Sequence, residues 1–410
     1  MALVRNGLAW DNTAKMKIGI YLGRYEHPQG GLWVYARSVM LEVRRLLESG
    51  ELTGRNEVIF YGDRSLLDSV QAIEPRVGAI RYRLLPTIGG RKVSLLLDQL
   101  ILPFVFVRDR VELVHALANA GFVFSRVPQI VTVHDLFQAW PATSATTKRR
   151  KSTLVNRYYR TLFRRQFNMP ISILTDSTEV AQEITHRYGV HESRIRVVPL
   201  GVDEVFANQL KRLDERNFRE KLSEWLVAHK LQPGYVLILA SAEPRKNLKR
   251  TIGAWLRLPD ELKRCGLVVN LTDARAETLV RELLQSTDDA DYLRILPAQP
   301  RDALPYLFKG ASVLLHPTLG EGFGLPALEA VTLKGKVVSG ALPSIADLGD
   351  DLIYFCNPSD ETDINRALVS ALQNGREVQG EGSIKFRTMA ETVRETVNLY
   401  EEFYLRFRDA

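Results

Sequence analysis

The sequence predicts an α/β protein of two doubly wound parallel sheets that face each other across a cleft. Short β-branched runs alternate with helical stretches from Lys17 onward, the pattern of a parallel sheet flanked by helices. The alternation breaks at a charged, helix-favouring stretch over about 209–230 and then starts again. A length of 410 residues, 45% hydrophobic and 25% charged, is also more than one core holds and suits two domains.

Residues 1–15 hold Arg5, Asp11, Asn12 and Lys15 among short apolar pieces, so they lack the continuous apolar region of a secretory signal and read as a flexible leader. A first domain, 16–203, is expected to place strands at 18–22, 58–61, 80–85, 111–116, 129–133, 171–174 and 195–198, with a helix over 31–48. The apolar run 93–107 is too short for a membrane span and contains Asp98 and Gln99, so it reads as a buried helix. A second domain, 204–385, is expected to place strands at 235–239, 266–271, 293–296, 311–315 and 336–339. The tail 386–410 carries Val393, Val397, Tyr400, Phe403 and Phe407 at helical spacing. This apolar face needs a partner, expected on the first domain.

Only Cys265 and Cys356 occur, which excludes a disulfide scaffold and a cysteine metal motif and fits a reducing cytoplasm. The net charge of +7 and a pI near 9.3 favour anionic partners: nucleic acid, phosphorylated metabolites or a membrane surface.

In doubly wound sheets ligands bind beyond the carboxyl ends of the strands, and the chemistry-bearing residues gather there. The segment His316-Pro317-Thr318-Leu319-Gly320-Glu321-Gly322-Phe323-Gly324-Leu325-Pro326-Ala327-Leu328-Glu329 runs from a strand through a glycine-rich turn into a helix that starts near Pro326. Its glycines let backbone N–H groups approach a polyol or phosphate, and the helix N-terminus adds partial positive charge. Glu321 and Glu329 would flank such a ligand, with Glu329 one turn into the helix and able to accept from hydroxyls. The plainer reading is a strand-turn-helix connection with a capping glutamate. Arg245 and Lys246 follow the strand that opens the second domain, where they suit a diphosphate or form a solvated basic turn. Gly30 and Gly31 precede the first helix. His134 ends the strand over 129–133, where it is either structural or faces the cleft.

The set Gly30-Gly31, Val133-His134-Asp135, Thr175-Asp176-Ser177, Val198-Pro199-Leu200-Gly201-Val202-Asp203, Arg245-Lys246-Asn247, and Glu321 and Glu329 with seven residues between them resembles family 4 of the retaining glycosyltransferases, also called group 1, from Met16 on. The resemblance implies the GT-B architecture: two Rossmann-like domains, the acceptor side first and the nucleotide-sugar side second. It implies that Arg245 and Lys246 hold the donor's diphosphate and stabilise its charge as the glycosidic bond breaks, with no divalent metal and no cofactor. Glu321 and the amides of Gly322, Phe323, Gly324 and Leu325 would meet the donor, and Glu329 would bind the ribose hydroxyls. His134 would lie against the transferred sugar from the opposite domain, and Gly30-Gly31 would approach phosphate and acceptor. The implied catalytic set is His134, Arg245, Lys246 and Glu321, without a glycosidase-type carboxylate pair. One departure is Lys336, which replaces the family's usual proline. Residues 301–307 resemble the segment that precedes the strand leading to Glu321, and are expected to serve packing.

Residues 148–165 hold Lys148, Arg149, Arg150, Lys151, Arg157, Arg160, Arg164 and Arg165 with interleaved apolar and aromatic side chains, and no acid lies between Asp135 and Asp176. Such a helix lies on an anionic membrane, or is solvated and packed by its apolar side. No nucleic-acid module accompanies it. The expected activity is transfer of a hexose, mannose from GDP-mannose as first choice, from a nucleoside diphosphate sugar, with retention, to a lipid-linked saccharide or polysaccharide intermediate. The expected place is the cytoplasm, peripheral on the inner face of the membrane. The rival readings are a nucleotide-sugar epimerase or phosphorylase of the same fold, and a non-catalytic partner subunit that binds sugar nucleotide or membrane.

Overall fold

The computed structural model describes residues 16–24, 30–52, 57–64, 79–87, 90–140, 154–213, 215–285, 290–345, 352–374 and 386–408. The expected leader 1–15 and the basic residues Lys148 to Lys151 lie outside the described residues. The strands β1 (Lys17–Gly23), β2 (Glu57–Gly62), β3 (Ile80–Leu84), β4 (Leu113–Ala116), β5 (Gln129–Val133), β6 (Ser172–Thr175) and β7 (Ile195–Val197) form a seven-stranded sheet, ordered β3-β2-β1-β4-β5-β6-β7. A six-stranded sheet, ordered β10-β9-β8-β11-β12-β13, is built from β8 (Tyr235–Ala240), β9 (Leu267–Leu271), β10 (Leu293–Leu296), β11 (Ala311–His316), β12 (Lys336–Ser339) and β13 (Ile353–Phe355). Neighbours pair in parallel: Ile20 lies against Phe60 and His115, and Leu237 against Leu314 and Val268. The two expected doubly wound sheets are thus present. β13 has no counterpart among the expected strands, because three residues at a sheet edge show no periodicity to read.

Both strand orders reverse once, between β1 and β4 and between β8 and β11. Loops leaving those strands at their carboxyl ends diverge to opposite faces and open a crevice. The helices of the first half are α1 (Gly31–Glu48), α2 (Gly90–Arg108), α3 (Leu154–Phe167) and α4 (Thr178–Tyr188). They are followed by α5 (Glu204–Leu210), α6 (Arg216–Ala228), α7 (Leu248–Leu256), α8 (Asp260–Lys263), α9 (Ala274–Leu284), α10 (Leu304–Gly310), α11 (Leu325–Thr332), α12 (Glu361–Gln373) and α13 (Met389–Arg408).

One hydrophobic core runs from α1 through Leu200, Val202 and Phe206 to Phe323 and Leu328, and takes in Val393, Tyr400 and Phe403 of α13. The last helix therefore lies on the first half. Arg394 fixes it there, 2.8 Å from Glu42 and 2.9 Å from Glu51, and His115 Nδ1 is 2.7 Å from the Tyr400 hydroxyl. The opposite face of the first sheet is covered by α2, α3 and α4 through Leu102, Phe106, Phe163, Phe167 and Ile184.

Two expectations change in detail. The 93–107 run is helical but only half buried. Leu102 and Phe106 point inward, while Leu96, Leu100, Phe104 and Val107 are exposed, so the helix is apolar on both sides. In α3, Leu162, Phe163 and Phe167 are buried, and Arg160 donates to the Ala139 carbonyl at 3.0 Å and lies 4.0 Å over the Trp140 ring. Part of the basic helix is therefore structural. Lys336 has a structural task as well: its ammonium donates to the carbonyls of Ala371, at 2.9 Å, and Asn374, at the C-terminal end of α12.

Candidate active site

The loops after β8 and β11 stand on either side of the second reversal point and are stitched together. Asn247, at φ 57, donates from its side chain to the carbonyls of Pro317 (2.9 Å) and Pro358 (2.6 Å). The Arg245 carbonyl accepts from Leu319 N–H at 2.7 Å and from the Thr318 hydroxyl at 3.0 Å. This brings two cations onto one carboxylate. Arg245 Nη1 lies 2.7 Å from Glu321 Oε2, and Lys246 Nζ lies 2.6 Å from Glu321 Oε1. Burial alone would raise the Glu321 carboxyl, but Lys246 and then Arg245 hold it well below the usual carboxylate range. Burial likewise pulls Arg245 down, and Glu321, Glu243 and Asp135 more than offset it. The pKa of His316, at the end of β11, is lowered by burial, with Glu321 opposing the shift. Its Nε2 lies 3.5 Å from Glu321 Oε1.

The first half closes over this cluster. The Phe137 ring lies 5.4 Å from the Arg245 guanidinium, and the Ser177 hydroxyl donates to the Gly322 carbonyl at 3.2 Å. Gly31, at the start of α1, faces Leu325, whose Cδ1 would lie 3.5 Å from an added Cβ. Gly30 is the α1 N-cap, so the partial positive charge of the helix start lies at the same junction. Gly324 adopts φ 99 at the N-cap of α11, with Pro326 in the first turn, a conformation glycine takes without steric cost.

Gly322 is held by close approach. An added Cβ would lie 1.8 Å from the His134 carbonyl oxygen. Gly322→Ala is therefore expected to force the halves apart at a cost of about 1–3 kcal/mol. Chemical denaturation checks this, and an unchanged midpoint would mean that the contact opens freely.

His134 is engaged at both ring nitrogens: Nδ1 lies 2.5 Å from Asp176 Oδ2 and Nε2 lies 2.9 Å from the Leu117 carbonyl. A carboxylate and a carbonyl at the two nitrogens favour the protonated ring. Burial opposes that charge, yet Asp176 and the Leu117 carbonyl raise the pKa above the ordinary value. What His134 presents at the junction is its backbone carbonyl.

Gly30, Gly31, His134, Arg245, Lys246, Glu321 and Gly322 to Leu325 thus meet at one junction between the halves. Glu329 stands apart from the cation cluster. It is 4% exposed and is ion-paired with Arg301, whose Nε also lies 2.7 Å from Asp203 Oδ2. The guanidinium sits 4.7 Å over the Phe206 ring. Arg301 was expected to serve packing, and it does cover Phe206; the two ion pairs were not foreseen, and its place just beyond the carboxyl end of β10 was the available signal for them.

Comparison with known proteins identifies the family and agrees with the fold. Residues 51–206 match the model for Glycosyltransferase Family 4, and residues 223–385 match that for Glycosyl transferases group 1. Over 174 residues the chain is 28% identical to the O-antigen chain mannosyltransferase B of Escherichia coli, covering 41% of this chain and 46% of that protein. The chain thus spans less than half the length of this relative. Over 306 residues it is 26% identical to the MMP alpha-(1->4)-mannosyltransferase of Mycolicibacterium hassiacum, 71% and 68% of the two chains. The crystal structure of WaaG, a glycosyltransferase involved in lipopolysaccharide biosynthesis, superposes with a TM-score of 0.64 at 18% identity, over 96% of this chain and 98% of that one. With one family model on each half and the matching fold throughout, the chain belongs to the family 4, group 1 glycosyltransferases of GT-B architecture.

Proposed function

We propose that the chain transfers a hexose from a nucleoside diphosphate sugar to a glycan or lipid-linked saccharide, with retention and without a metal. The convergence of Arg245 and Lys246 on Glu321, at the second reversal point and opposite the N-terminus of α1, carries the reading. As the glycosidic bond breaks, negative charge grows on the leaving diphosphate, and two fixed cations in a buried site stabilise that charge without reorganising. The acceptor oxygen would attack from the face the diphosphate leaves, and a leaving-group oxygen would take its proton. No side-chain base is then required, which suits a His134 ring already tied up by Asp176 and Leu117.

Mannose from GDP-mannose is the donor we favour, since relatives named for O-antigen and MMP mannosyl transfer align with the chain. The O-antigen chain in the first of these names favours a polysaccharide intermediate as acceptor; the exposed cations of α3 suit its handling at the cytoplasmic face of a membrane. The test is thermal-shift binding against GDP-, UDP-, ADP- and dTDP-sugars in chelator without metal. A selective rise with GDP-mannose is expected, because a ligand bound only by the native state stabilises it. A selective rise with another nucleotide would replace the donor. No rise with any of them would overturn the sugar-nucleotide reading.

A further inference from the structure

We propose that the outward face of α2, together with the arginines of α3, is a docking surface for an anionic lipid bilayer. The inner stripe of α2 is accounted for: Leu102 and Phe106 join the core, and Asp98 accepts from the Tyr21 hydroxyl at 2.8 Å and from Arg24 at 2.6 and 2.8 Å. Among the described residues the outer stripe has no such partner. Val93, Leu96, Leu100, Phe104 and Val107 recur at intervals of three and four, with Ile101 beside them, and all are exposed, Phe104 by 78% and Leu100 by 54%. Contiguous apolar surface of this kind marks an interaction site. Phe124, also exposed, extends it. The turn before Phe124 is fastened to α2 by Gln99, which donates to the Gly121 carbonyl at 2.8 Å, and to α3 by Gln166, which accepts from Gly121 N–H at 2.8 Å.

Charge selects the occupant. α2 and α3 cover the same face of the first sheet, and Arg108, Arg126, Arg157, Arg164 and Arg165 are exposed there. The buried Asp98 is the sole acid in α2, and α3 has none. Two copies of the chain meeting through α2 and α3 would bring their arginines together with no carboxylate on either helix except the buried Asp98. Anionic headgroups supply the opposing charge while the apolar stripe reaches the acyl boundary. No helix among the described residues is long and apolar enough to cross a membrane, so the contact is peripheral. The inference rests on the membrane-surface reading above and assigns the anchor to α2, with α3 as its charged flank.

The test is flotation of the full chain with phosphatidylcholine vesicles, with and without phosphatidylglycerol. Wild type is expected to float with the anionic vesicles and to be partly released by salt. Leu100→Ser with Phe104→Ser removes only exposed apolar surface, and should weaken partitioning at least about tenfold while the thermal midpoint and the donor-induced shift stay unchanged. Changing Arg157, Arg164 and Arg165 to Gln should abolish the preference for anionic vesicles. A wild type that does not float, or a serine variant that floats equally well, overturns the proposal. Light scattering that shows a wild-type dimer, made monomeric by the serine pair, overturns it in favour of a second copy. Flotation without any donor-induced shift supports the docking surface and removes only the enzymatic reading.

Discussion

Lys246→Ala is expected to lower kcat by about 10²–10³-fold, with a much smaller change in the KM for the donor and with the fold intact. The ammonium is held 2.6 Å from Glu321 Oε1, so it is already placed when charge develops on the leaving diphosphate. An interaction that strengthens only in the transition state appears in kcat. The fold should survive because Arg245 remains 2.7 Å from the other oxygen of Glu321, leaving that buried carboxylate a partner. Lys246 is also a cleaner probe than Arg245, whose guanidinium pairs with Glu243 as well as Glu321 and meets Phe137 of the first half. Steady-state rates with the donor found by thermal shift, measured beside a denaturation curve, make the check. Full turnover in a folded variant would falsify the diphosphate role.

The fold was largely legible because parallel strands buried on both faces appear as compact β-branched runs. β5, β10 and β12 begin and end where those runs do, and the second reversal point falls between two of them that carry charged loops. The motif residues were legible as loop positions at strand ends. Their pairings were not, because each joins segments far apart in sequence. His134 meets Asp176 across 42 residues, and Arg301 meets Asp203 across 98. The sequence also shows α2 as an apolar run without saying which side faces water. Its inner and outer stripes are both apolar, so helical periodicity offers no contrast there. Asp98, read as an interruption of that run, is instead the inward acceptor for Arg24.

Arg301→Met is expected to destabilise the protein by about 3–5 kcal/mol, because it leaves Glu329 and Asp203 as buried carboxylates without a counter-charge. In the intact protein burial pulls the Arg301 pKa down, and Glu329 and then Asp203 lift it above its ordinary value, so the guanidinium stays charged. The loss should depend on pH in a defined direction. Burial, the largest influence on Glu329, already raises its pKa above 4.5 despite Arg301; without Arg301 that rise can only grow. A carboxyl whose folded pKa is raised binds more protons folded than unfolded, so stability falls as pH rises. The deficit of the variant should therefore be smallest below the ordinary carboxyl pKa of 4.5 and widen as pH climbs through the raised folded value. Adding Glu329→Gln should recover part of it at neutral pH, since an uncharged amide needs no counter-ion. Urea midpoints across pH for the single and double variants decide the matter. A deficit independent of pH would show that Arg301 acts by packing over Phe206 rather than by neutralising the two carboxylates.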